Sequence, residues 1–545
     1  MTPIPAKQLI VFHFRHRTIA DAEAYHVAAA DDSNNAFCLG FATPALDDRG
    51  VTHVLEHMVL CGSEKYPVRE PFFRMTRRSL STYMNALTGP DYTLYPFATT
   101  NSKDYANLLS VYLDAVFHPL LRKDDFLQEA HRIEFQSSTT SSSPSTEVLA
   151  AAGGGGSDGS EAAGGSEEVV PGPVVEGEGH AAASGSSAPA MVAFSGTVYN
   201  EMKGAASEPG RCFTHTVLKQ LMPSTHYRFV SGGVPRRILD LKHDDVVDFH
   251  RLYYRPGNSV VFTYGSWDPT DTLLTVDAAF AAKQRELIER GASHLADKGR
   301  VAVPAETSFR DWTAPPPTQP DAALLAKQVQ ARGPSDPMGD PASQKRVLFA
   351  AAVPGSVFEA GGRPTLRDEV EWSVTDELLT DGPASPMYQA LFAPTTTTAS
   401  TTSGGSEPSQ DAGKSAALGA RFAPMSGAQF SMTCPTVGYG VSGASDAAVK
   451  PETVRDAVRG ALKRVSAEGF PSDRIEGVVF QSELQQRHRS SDYGVNLLTG
   501  LAARRLVMGS SATTTGGSGG VAVEDLLDWS PHLARLRQEP PRLDF

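Results

Sequence analysis

Over the first hundred residues the apolar positions fall in short runs, and these runs predict strands. Leu9-Ile-Val-Phe-His-Phe-Arg-His16 opens the chain as one strand, Ala24–Ala29 gives a second, and Phe37-Cys-Leu-Gly-Phe41 a third. Ser81–Ala86 and Thr93–Ala98 alternate around a Gly-Pro-Asp turn. Between them the period changes. Val51, Val54, Leu55, Met58 and Val59 recur at helical spacing, and Asp47-Asp48 put acid at the positive end of the helix they precede. Helical periodicity covers Asp104–Phe117, Lys123–Phe135, Val217–Leu221 and Asp244–Tyr254, and Val260–Tyr264 is a strand ending at Gly265.

Further along, a second αβ unit opens with the strand Arg346–Val353. It continues through helices at Arg367–Thr380, Glu452–Glu468 and Ser472–Arg489, with a strand over Gln429–Val441. Low-complexity stretches interrupt the pattern. Residues 136–190, rich in Ser, Thr, Gly and Glu, cannot bury enough apolar surface to offset the entropy of ordering, and are expected to be a disordered insert. Residues 394–418 and 509–520 read as flexible for the same reason. The expected division is therefore a first domain over 1–275, a Pro- and Ala-rich linker over 276–345, and a second domain over 346–545.

Composition narrows the function classes. A net charge of −13 argues against a nucleic-acid partner, and no apolar run is long enough to suggest a membrane span. Cys38, Cys61, Cys212 and Cys434 form no C-x-x-C pair and read as reduced, partly buried thiols. Neither glycine cluster makes a phosphate loop. Gly413-Lys414-Ser415 would need glycine at 408, where Pro408 stands. No secretory or transit leader is apparent, since strand pattern begins within ten residues of Met1.

The candidate chemistry lies on the first helix. His53 and His57 are four apart and so project from one face, with Glu56 beside them. Two imidazoles at this spacing make half of a tetrahedral zinc site, and the adjacent carboxylate is suited to take a proton from water. The order H-x-x-E-H is the inverse of the commoner H-E-x-x-H. A plainer reading has two surface histidines on an amphipathic helix.

Longer strings weigh against the plainer reading. His53-Val-Leu-Glu-His-Met-Val-Leu-Cys-Gly-Ser-Glu-Lys-Tyr-Pro67, Glu70-Pro71-Phe72, Ser81–Asp91, Thr93-Leu-Tyr95-Pro96, Val198-Tyr-Asn200-Glu201-Met-Lys-Gly204, Leu241–Asn258 and Gly382–Pro386 run along almost the whole chain. Together they resemble the presequence protease/falcilysin branch of the pitrilysin–insulysin zinc metallopeptidases. The resemblance implies an α+β fold: two pitrilysin-type αβ domains, each an antiparallel or mixed sheet flanked by helices, the second without metal. It also implies one Zn2+ held by His53, His57 and Glu201, with Glu56 as general base, and a metalloendopeptidase that degrades short unfolded peptides such as cleaved targeting presequences. Asn85 resembles a residue on the family's substrate-binding edge strand; equally, it satisfies backbone groups in a turn. Glu134 is a weaker ligand candidate. A mitochondrial or other organellar location follows from the resemblance, with the cytoplasm as alternative because no transit peptide is apparent.

The chain also departs from the family. Arg78-Ser-Leu-Ser81-Thr82 stands where Gly-Ser-Leu-Asn-Thr is usual, and Asp91-Tyr92-Thr93 where Asp-Arg-Thr is, so substrate preference is expected to differ. The family's enzymes join two similar halves, and their second half supplies an Arg/Tyr pair at the oxyanion. No such pair is found here, which leaves open a catalytically incomplete peptide-binding half that needs a partner chain. A purely structural zinc domain is a further alternative, which Glu56 argues against.

Overall fold

The computed structural model describes residues 1–136 except Ala20, then 191–294, 328–353, 364–393, 395–396, 414–415, 418–429, 435–444, 449–508, 523 and 526–541. The expected inserts lie almost wholly outside these residues, as do residues 295–327 of the expected linker.

The first unit is built on an eight-stranded sheet. Its strands are β1 (Thr2–Ile4), β2 (Leu9–Arg15), β3 (Glu23–Ala28), β4 (Asn35–Ala42), β5 (Ser81–Met84), β6 (Leu87–Thr88), β7 (Tyr92–Thr99) and, after a separate hairpin of β8 (Arg132–Gln136) with β9 (Met191–Ser195), β10 (Ser259–Gly265). Their order is β1-β2-β3-β10-β4-β7-β5, with β6 also on β7. The β3–β10 pair is parallel and the other pairs are antiparallel. The α+β class with a mixed sheet is thus observed.

Both faces of this sheet are covered, which explains why β4 and β10 are buried along their whole length rather than at alternate positions. On one face Phe37, Leu39, Phe41, Tyr95, Phe97 and Val261 pack against α1 (Val51–Val59), α3 (Ser102–Phe117), α8 (His243–Tyr253) and α9 (Thr270–His294). Between these helices in the chain come α2 (Pro71–Thr76), α4 (Lys123–Glu129), α5 (Thr197–Ser207), α6 (Pro209–Leu221) and α7 (Pro235–Ile238). On the opposite face Cys38, Leu94, Ala98, Val260 and Phe262 meet Val495, Leu498, Leu501, Ala502 and Leu506 of a helix far along the chain, Tyr493–Met508.

The second unit is smaller. Its β11 (Lys345–Ala352) pairs antiparallel with Thr436–Ala444, which also pairs with Arg421–Phe422 and Gly427–Gln429. Around it stand α10 (Leu366–Thr380), α11 (Pro386–Leu391), α12 (Pro451–Glu468) and α13 (Ser472–Arg487), followed by α14 (Tyr493–Met508) and α15 (Ser530–Gln538).

Four expectations need correction. The helix expected over Lys123–Phe135 stops at Glu129, and Arg132–Gln136 becomes a strand because it pairs with Met191–Ser195. Asp47-Asp48 do not charge the first turn of α1: the helix is entered through Gly50, Asp48 instead accepts from Val230 N, and Asp47 binds Arg49. The boundary at 275 falls inside α9, whose Val276 and Phe280 belong to the first core. Finally, α14, expected in the second domain, completes the first sheet's outer face because its Val495, Leu498 and Leu506 stripe is apolar.

Candidate metal centre

The helix α1 is almost entirely buried, packed against α4, α5, α8 and β6, and this packing holds its histidines and glutamate. Its entry sets its position. Gly50 has φ +69°, and a Cβ there would lie 2.6 Å from the Gly232 carbonyl oxygen, so only glycine permits this approach. The loop that approaches is Val230–Val234. Thr52 Oγ1 donates to Ser231 O at 2.9 Å, and Val230 N and Val234 N donate to Asp48. The Gly232 carbonyl is thereby brought to His53 Nδ1, 3.4 Å away.

His57 is oriented by a carboxylate. Its Nδ1 is 3.1 Å from Glu129 Oε2, at the last residue of α4. Glu129 is itself buried, and its other oxygen accepts from Gln128 Nε2. With both Nδ1 atoms engaged, the Nε2 atoms are the ones left to face Glu201, a pattern that fixes ring orientation in histidine metal sites. Glu201 stands on α5, 55% exposed, and its Oε2 is 3.5 Å from His53 Nε2 and 3.8 Å from His57 Nε2. The two rings are nearly perpendicular, with centroids 4.9 Å apart.

Among the described residues His53, His57 and Glu201 form the one group whose ligand atoms all lie within 4.8 Å of one another. Three tetrahedral ligands at about 2.0–2.1 Å from a metal sit about 3.3 Å apart, so a small contraction of this triangle would hold an ion. Two imidazoles and one carboxylate leave a fourth position open.

The electrostatics follow from burial and neighbours. Burial, with His57 beside it, pulls His53 below the usual histidine value. Burial acts the same way on His57, but the hydrogen bond to Glu129 and the carboxylates of Glu56, Glu129 and Glu201 override it and raise the group. Burial opposes ionisation of Glu129, yet His57 holds it below its ordinary value. Glu56, 8% exposed, accepts a hydrogen bond from Thr88 Oγ1.

The other sequence candidates fall as follows. Asn85 follows β5, the edge strand of the sheet; its N donates to Pro96 O, its Oδ1 accepts from Ala86 N, and it is half-buried. Glu134 is on β8, paired with Arg132 and away from the cluster. Glu129 and Thr88 are not legible in the sequence as site residues. Asp91, at the departure Asp91-Tyr92, is buried and accepts from Tyr227 OH at 2.6 Å.

The chain is similar to known proteins along most of its length. Residues 40–154 match the domain described as insulinase (peptidase family M16), and residues 240–481 match the peptidase M16 inactive domain. The chain is 30% identical to a mitochondrial presequence protease from Schizosaccharomyces pombe, over 91% of this chain and 40% of that protein. It is 32% identical to the mitochondrial presequence protease of Mus musculus, over 92% of this chain and 39% of that one. The chain thus spans about two-fifths of the length of these curated relatives. In fold it is similar to a protease from Helicobacter pylori, with TM-score 0.54 and 13% identity over 97% of each chain. The first of the two matched domains contains all of α1 and the second carries the β11 sheet, and the chain belongs to peptidase family M16.

Proposed function

We propose that the chain carries the catalytic centre of a zinc metalloendopeptidase that hydrolyses short unfolded peptides, cleaved targeting presequences among them. The observation that carries this reading is the convergence of His53 Nε2, His57 Nε2 and Glu201 Oε2 beside the buried Glu56. His53, His57 and Glu201 would hold the zinc. When bound, zinc supplies a Lewis acid for the scissile carbonyl and lowers the pKa of water.

The remaining chemistry belongs to side chains. Glu56 takes a proton from the attacking water and returns it to the leaving amide nitrogen. Glu129 and the Gly232 carbonyl keep the imidazoles in one orientation throughout. β5 ends the sheet, so its outer backbone groups are available to an extended peptide, which adds there as a further strand with Asn85 beside it. An edge that takes extended backbone favours unfolded substrates over folded ones. The location named for the relatives, the mitochondrion, is the one we assign.

The span of the match, two-fifths of the relatives, favours a second reading, in which this chain binds peptide and completes catalysis only with a partner half. Cleavage of an unstructured fluorogenic peptide, with and without chelator and beside Glu56→Gln, separates the two. Chelator-sensitive cleavage lost in Glu56→Gln supports a working peptidase. Zinc bound without cleavage supports the partner-requiring half. Cleavage unchanged in Glu56→Gln overturns both.

A further inference from the structure

Glu56 sits in a buried helix, yet a general base has to present one oxygen in one direction. Among the described residues its carboxylate has one hydrogen-bond partner, the Thr88 hydroxyl, which donates to Oε2. Oε1 is left for a proton. We propose that Thr88 is the positioning residue of the base. The inference rests on the role proposed for Glu56, and it assigns to Thr88 the task of holding the carboxylate in its productive rotamer.

The surroundings of Thr88 suit that task. It ends the two-residue strand β6, in register with Thr93 of β7. The turn that follows is closed by Gly89 N donating to Tyr92 O at 2.8 Å, and the Tyr92 ring occupies the space a Cβ at Gly89 would need. Thr93 is in turn fixed by its hydroxyl, 2.7 Å from that of Thr43. The hydroxyl of Thr88 is therefore mounted on a short strand fixed to β7, a strand of the sheet buried from Thr93 to Thr99, whereas Glu56 has a side chain with three rotatable bonds.

The same eight residues, Ser81–Thr88, carry both the free edge at β5 and the support of the base at β6. A peptide strand added to the edge lies against the segment that aims Glu56. The hydroxyl of Thr88 donates to Glu56, and its effect on the reaction passes through that carboxylate.

A valine at 88 keeps the shape and removes the hydroxyl; a serine keeps the hydroxyl. In the full chain loaded with zinc, Thr88→Val is expected to lower kcat by about 10–100-fold, the range for outer-shell groups. KM should stay within about twofold, because ground-state binding is untouched, and zinc content should be unchanged. Thr88→Ser is expected to restore most of kcat. Independently of activity, a crystal structure of Thr88→Val should find the Glu56 carboxylate turned away or divided between rotamers, and that of Thr88→Ser should find it as here. Should the valine variant not fold, Thr88→Ala takes its place under the same readouts.

The proposal is overturned if Glu56 is unmoved and kcat is kept in the valine variant, or if serine is as damaging as valine at equal zinc content. A wild-type chain that cleaves nothing would count against the peptidase reading, and the crystallographic comparison would then decide Thr88 alone.

Discussion

His57 binds Glu129 through a 72-residue excursion of chain, and this one contact makes the histidine a directed donor rather than a free one. Replacing Glu129 by Gln keeps the size and removes the charge that favours Nδ1–H. We expect zinc affinity to fall about 10–100-fold, measured by competition with a chelating dye, with the fold retained. His53, Glu56 and His57 are readable from sequence because they share one helix, where spacing alone fixes their common face. Glu201 is on another helix, and only the string Asn200-Glu201-Met202-Lys203-Gly204 marked it. Glu129 and Thr88 carry no such mark. Glu129 stands among other acids on α4 and Thr88 in a strand turn, and each acquires its role only from what the fold sets against it.

At the scale of elements, α14 links the two units through adjacent arginines. Arg504 reaches Glu369 of α10 at 2.7 Å, while Arg505 pairs with Glu23 of β3 and donates through Nε to Tyr25 OH at 3.2 Å. Arg505 and Glu23 are both buried, so removing Arg505 takes from Glu23 its nearest cation and leaves it Arg15 and His13 at 3.7 Å. Arg505→Met is expected to cost about 3–5 kcal/mol, seen as a lower denaturation midpoint, whereas Arg505→Met with Glu23→Leu should recover most of it. A double variant no more stable than the single would contradict the pairing.

The same helix shows where sequence reading stops. Its apolar stripe announces a buried helix but not which sheet buries it, and it packs on β4, β7 and β10, the first of them more than 450 residues earlier in the chain. The Arg132–Gln136 strand failed for a related reason. Its partner, Met191–Ser195, lies beyond a long low-complexity stretch, so local periodicity saw only the helix before it. Strands β4 and β10 are legible because both-sided burial makes them short apolar runs, and β2 because its buried and exposed positions alternate.

Two buried histidines outside the metal cluster give the molecule a pH dependence. Burial, opposed by Asp268, holds His26 at about 4, and its Nδ1 is 2.9 Å from Thr263 Oγ1. Burial, reinforced by Lys283, holds His250 at about 3, and its Nε2 donates to Val116 O. Above the unfolded value of 6.5 both are neutral in either state, so their burial carries no protonation penalty there. As pH falls below that value the unfolded chain takes up protons that the folded chain refuses. Stability is then lost by up to about 1.4 kcal/mol per pH unit for each histidine. Thermal melts between pH 7.5 and 5 should fall with acid, and the fall should be shallower in His26→Gln.

The most direct measurement of the centre is anomalous X-ray diffraction at the zinc edge from crystals of the chain grown with zinc. One peak is expected within about 2.0–2.2 Å of His53 Nε2, His57 Nε2 and a Glu201 carboxylate oxygen, with Glu56 outside that shell. No peak between these three residues, or a peak ligated by Glu56 in place of Glu201, would contradict the assignment.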